Sequence, residues 1–87
     1  MSGMVLIEVH LGPGVRELTL SAEVLRETKA QIMTPEVARK AGFEGLPAAP
    51  AGSEVRYIAV KEVDSRWILN ALEANPGVSN MRVHPVG

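Results

Sequence analysis

The chain has 87 residues, 46% of them hydrophobic, with nine Lys and Arg against ten Asp and Glu for a net charge of -1. That length and apolar content predict one domain over residues 1–87, burying roughly 60–70% of the unfolded surface. The absence of cysteine excludes disulfides, thiolate metal sites and a cysteine nucleophile. Acidic and basic residues are interspersed, Arg39-Lys40 being the only adjacent like-charged pair, so no strong field is available to hold a phosphate backbone or an anionic membrane. No apolar run approaches the roughly 20 residues of a spanning helix, and no basic segment precedes the first apolar stretch. The expectation is a soluble, cytoplasmic protein without nucleic-acid or membrane partners.

Taken in chain order, Met4 to Leu11 sets Val5, Ile7, Val9 and Leu11 against Leu6, Glu8 and His10, the period of a strand with one face in the core. Gly12-Pro13-Gly14 supplies a fixed φ followed by a residue that tolerates positive φ. Val15 to Leu20 is accordingly expected to return as a second strand, making a hairpin. The glycine pair is no phosphate cradle by sequence, because no lysine follows in phosphate-loop spacing.

Ser21 is the expected cap of a helix over Ala22 to Met33, with Val24, Leu25, Thr28 and Ile32 on its packed face. Thr34-Pro35-Glu36 repeats a start signal, a cap followed by proline at the first helical position, for a short helix from Pro35 to Ala41. Residues 44–53 are small residues and turn formers without either period, so they read as a loop. Its leading role is that of a connector, with a binding clamp as the alternative, and Leu46, Pro47 and Pro50 are the partner-binding candidates within it.

Residues 54–86 carry the clearest pattern. Val55 to Val63 is apolar at both odd and even positions, as in an interior strand. Asp64 or Ser65 is positioned to cap a helix that Asn75-Pro76-Gly77 ends, with Ile68, Ala71 and Leu72 on the buried face and Trp67 and Leu69 on its borders. Val78 to Val86 alternates again. The whole predicts an α+β two-layer sandwich: about four mainly antiparallel strands, helices on one face, element order ββα(α)βαβ. The stretch from Leu72 to Val83 resembles the helix-turn-strand endings of ferredoxin-like domains, which include small metal carriers and amino-acid-binding regulatory modules. The paired cysteines of the carriers are absent, so the resemblance transfers no functional residue.

For function, the apolar stripe of the last helix is wider than the roughly 100° that one sheet buries, and no positioned base or oxyanion-stabilising group stands out. The expected function is therefore non-catalytic: a small accessory or adaptor protein that binds a protein partner or its own copies through a sheet edge and the Trp67 and Leu69 flank. It is not expected to be an enzyme or to hold a cofactor. The alternative is a ferredoxin-like regulatory domain binding a small ligand. A third reading places Glu8, His10, Arg82 and His84 on one sheet face, if the first and last strands are neighbours, as a metal or acid-base cluster.

Overall fold

The computed structural model describes residues 3–43 and 54–86, so the loop candidates Leu46, Pro47 and Pro50 lie outside the described residues. The elements are β1 (Met4–Leu11), α1 (Ala22–Thr28), β2 (Gln31–Met33), α2 (Pro35–Lys40), β3 (Val55–Lys61), α3 (Glu62–Glu73) and β4 (Val78–Val86). The strands form one antiparallel sheet in the order β2-β3-β1-β4. This is the expected α+β architecture. β3, α3 and β4 make the anticipated β-α-β unit, split by β1 between its two strands.

The pleat of β1 explains how the core divides. Val5, Ile7, Val9 and Leu11 join Ile58 and Val60 of β3, Val24 of α1 and Ile68 and Leu72 of α3 in the larger apolar cluster. Leu6 points the other way, into a smaller cluster with Met33, Val55, Tyr57, Ala59 and Ala38 of α2, against which Phe43 packs. α2 thus lies across the sheet from α1 and α3. The single helical face anticipated from sequence holds for the two larger contributors to the main core, and α2 departs from it because Val55, Tyr57 and Ala59 make the second face of β3 apolar as well.

The second strand is not where the sequence predicts it. The Gly12-Pro13-Gly14 turn forms, with the Val15 amide donating to the Gly12 carbonyl at 3.1 Å and Gly14 at φ 78°. Val15 to Leu20 then forms no strand, since both sides of β1 are taken by β3 and β4. The segment is instead tied down by side chains: Arg56 donates to the Arg16 carbonyl at 2.9 Å, and Asn75 to the Thr19 carbonyl at 3.0 Å. The missing strand is β2, taken from the end of the expected helix, so the order is βαβαβαβ rather than ββα(α)βαβ.

That helix stops at Thr28, whose hydroxyl donates to the Val24 carbonyl at 2.7 Å and accepts from the Ala30 amide at 3.3 Å. Lys29 follows in the left-handed region (φ 55°, ψ 29°), a conformation that a β-carbon disfavours and glycine does not. Lys29→Gly is expected to raise stability by about 0.5–1 kcal/mol, read from the thermal unfolding midpoint. Ile32, counted from sequence on a helical face, still reaches the main core, but as the β2 residue opposite Ile58.

α2 has the anticipated Thr34 cap, which accepts from the Val37 amide at 3.3 Å. α3 begins earlier than Asp64 or Ser65 suggest. Lys61 is its N-cap residue and contributes no side-chain bond, while the Glu62 amide donates to the Gly3 carbonyl at 2.9 Å. A backbone acceptor from before β1 meets a need that capping side chains usually meet. The Ser65 hydroxyl turns back to donate to the Glu62 carbonyl at 2.7 Å.

Candidate functional site

β1 and β4 are neighbours, and the register sets Leu6 opposite His84, Glu8 opposite Arg82 and His10 opposite Asn80. Directly opposed residues of an antiparallel pair share a face. All four residues of the polar cluster read from sequence therefore come together on the second face of the sheet. Around Glu8, His10, Arg82 and His84 that face is polar, while Leu6 of β1 and the side chains of β3 and β2 in the smaller cluster make it apolar where it meets Ala38 and Phe43.

Glu8 is the centre, with only 3% of its surface exposed. His84 Nε2 lies 2.9 Å from Oε1 of Glu8, and His10 Nε2 bonds Oε2. His10 stands two residues along β1, about 7 Å at the rise of a strand, and His84 reaches Glu8 diagonally from the other direction. The imidazoles thus approach from opposite sides and take one oxygen each. An ionised carboxylate only accepts hydrogen bonds, so both rings donate Nε2–H and leave Nδ1 as the free ring nitrogen. Ser79 completes the surroundings by donating to the His10 carbonyl at 3.0 Å, beside the register shift between His10 and Leu11.

Burial pushes the Glu8 carboxyl up, yet the bonds from His10 and His84 and the charges of those rings outweigh it, holding the group below its usual range. Tyr57, buried opposite Glu8 on β3, has its hydroxyl pushed up by burial and then by the Glu8 charge, with Arg39 of α2 pulling the other way. Tyr57 is thus a core residue that feels the cluster. Arg82 is exposed and makes no hydrogen bond or ion pair with the described residues, while each oxygen of its cross-strand carboxylate accepts from one histidine.

The arrangement suits proton sharing and the fixing of ring tautomers more than metal chelation. Metal ligands converge on one point, whereas these two Nε2 atoms are each directed at a different carboxylate oxygen. Among the described residues, no group of three or more His, Cys, Asp or Glu side chains is placed to hold a metal ion.

The apolar candidates separate. Leu69 packs against the main core. Trp67 is 44% exposed, and Val63, one turn earlier on the same side of α3, is 72% exposed. Asn80 and Ser79, which the sequence reading leaves without a role at the cluster, lie beside it. The signal that would have placed Asn80 is the alternation Asn80, Arg82, His84, which continues the polar face of β4 by one step.

These features define a small α+β domain with a half-polar, half-apolar second sheet face and one long sheet edge. No protein-family model, curated protein or solved structure matches the chain. Among the described residues, no helix is long and apolar enough to cross a membrane.

Proposed function

We propose that this protein is a non-catalytic accessory protein that works by binding protein, with a second copy of itself as the first partner. The observation that carries the reading is the β4 edge. β4 is nine residues long and, among the described residues, is paired on one side only, whereas the opposite edge, β2, has three residues. A long open edge presents a row of unpaired backbone donors and acceptors, which proteins commonly blunt with charge or proline. On β4, Arg82 and Pro85 are the residues of that kind, and Val83 beside them is 40% exposed. The near-neutral net charge offers little repulsion to a like copy, and a cytoplasmic setting free of nucleic acid and membrane suits the same reading.

Trp67 and Val63 form a second apolar strip, and large aromatic side chains are favoured anchors at interfaces. The test is native mass spectrometry together with amide hydrogen exchange over a range of protein concentrations. Pairing through β4 predicts a dimer and protection of the β4 amides that rises with concentration. A monomer at every concentration, with alternate β4 amides exchanging freely, would remove the reading. A Val63→Ala/Trp67→Ala variant is expected to lose less than about 1 kcal/mol per site in urea unfolding, as exposed positions do. If the flank of α3 belongs to the interface, the same variant weakens self-association by at least about tenfold, a loss of ~1.4 kcal/mol.

A further inference from the structure

The directions of the peptide groups along β4 follow from three backbone hydrogen bonds. The Glu62 amide donates to the Gly3 carbonyl and the Leu11 amide to the Glu54 carbonyl, each at 2.9 Å, so the odd-numbered residues of β1 turn their peptide groups toward β3. Antiparallel strands alternate hydrogen-bonded and non-hydrogen-bonded pairs. The even-numbered residues therefore face β4, as the Gly12 amide does in donating to the Gly77 carbonyl at 2.9 Å. In the register of β1 with β4, Asn80, Arg82 and His84 turn inward to meet them, and Met81, Val83 and Pro85 turn their peptide groups outward.

The outward row is short of donors. Pro85 has no N–H, and the Val78 amide is taken by the Asn75 carbonyl at 3.1 Å. Among the described residues, β4 thus offers two free outward amides, those of Met81 and Val83, beside the carbonyls of Met81, Val83 and Pro85. A second copy laid antiparallel on this edge must set outward residues against outward residues. Only two registers then supply every free amide with a carbonyl inside the regular stretch from Asn80 to Val86, clear of the register shift beside Ser79. One centres on Arg82 and the other on Val83.

Side-chain chemistry separates the two, because directly opposed residues share a face. Centring on Arg82 sets two cationic side chains against each other in a non-hydrogen-bonded pair, with Cα atoms about 4.5 Å apart, and like charges so placed are destabilising. Centring on Val83 lets the two Val83 residues exchange both backbone bonds, while the Met81 amide donates to the partner's Pro85 carbonyl. Arg82 then stands opposite the partner's His84, whose ring is bonded to the ionised carboxylate of Glu8. The two exposed Val83 side chains cover each other, a β-branched pair that suits a pleated surface.

We infer, on the reading that β4 pairs with its own copy, that two chains join antiparallel about a two-fold axis at Val83. Val83 lies opposite Ile7 of the main core, so the two four-stranded sheets continue into each other with α1 and α3 of both copies on one face.

The chain has no cysteine, so single cysteine substitutions read the register directly. Under mild oxidation, Val83→Cys is expected to form a disulfide dimer about tenfold or more faster than Arg82→Cys, since thiols held together by the pairing react at up to millimolar effective concentration. Opposed Cα atoms about 5.5 Å apart lie within the roughly 4.4–6.8 Å that a disulfide spans. Arg66→Cys, at an exposed position of α3, gives the rate of chance collision. In the protein without substitutions, a mixture of isotope-labelled and unlabelled chains should show an intermolecular NOE between the α-protons of Arg82 and the partner's His84. Native mass spectrometry before oxidation reports the dimer itself. Dimers in which Val83→Cys closes no faster than Arg66→Cys, or in which Arg82→Cys closes fastest, would overturn the Val83 axis while self-pairing stands. Monomers throughout would overturn both.

Discussion

Ile68→Ala is expected to cost about 2–5 kcal/mol, the range for deleting a fully buried aliphatic side chain together with the cavity it leaves. Ile68 is completely inaccessible and meets the β1 and β3 side chains of the main core. A domain of this size has roughly 4–13 kcal/mol of total stability at the usual value per residue. The substitution therefore takes a large share. α3 has twelve residues, a length at which an isolated helix is marginal in water, so its persistence depends on the packed stripe formed by Ile68 and Leu72. Urea unfolding followed by circular dichroism should show a lower midpoint with one cooperative transition. The thermal midpoint should fall by upward of about 10 °C, given several degrees per kcal/mol for a domain this small. A loss under about 1 kcal/mol would mean that the helix is not seated on the sheet as described.

The contrast between Ile68 and Trp67 marks where sequence periodicity is informative. A period of 3.6 identifies the centre of a buried stripe, and Ile68 and Leu72 are both fully buried as expected. At the border of a stripe the period is silent, and whether Trp67 faces core or solvent is decided by neighbouring elements. The error at Val15 to Leu20 has a similar cause. Turn chemistry is local and was legible, but the return strand needed a vacant side of β1, and β3 and β4 fill both sides from a distance of more than 40 residues in sequence. Met33 shows the ambiguity of short apolar runs: Ile32 and Met33 fit a helical face and a three-residue strand equally well, and the left-handed turn at Lys29 decides for the strand. The polar cluster was legible only on the condition that β1 and β4 pair. The direction from which each histidine approaches Glu8 came from the register, which alternation alone does not supply.

Replacing Glu8 should have the second large effect, about 2–4 kcal/mol for Glu8→Ala, because it removes a buried acceptor of two hydrogen bonds and leaves both rings to find new partners. Glu8→Gln separates shape from charge. It retains the size of the side chain, but one oxygen becomes an amide donor facing a ring N–H, so at least one imidazole must turn away or change tautomer. The loss should be smaller than for alanine and should be accompanied by changed ring-nitrogen signals of His10 or His84 in NMR.

The wild-type acid limb gives an independent reading of the same bond pair. The folded state holds the Glu8 carboxyl below its ordinary range, so on acidification the unfolded chain takes up this proton first. The contribution of Glu8 is fully present above the ordinary carboxylate range and disappears as pH falls through that range toward the lower folded value. Urea midpoints measured from neutrality down through the carboxylate range should therefore fall for the wild type. After subtraction of the common trend from exposed acids, they should fall less for Glu8→Gln, which has no proton to gain. Parallel acid limbs in the two proteins would show that the imidazole bonds do not favour the ionised carboxylate. A shallower limb in the variant would identify the His10 and His84 bonds as the part of the β1–β4 pairing that depends on the charge of Glu8.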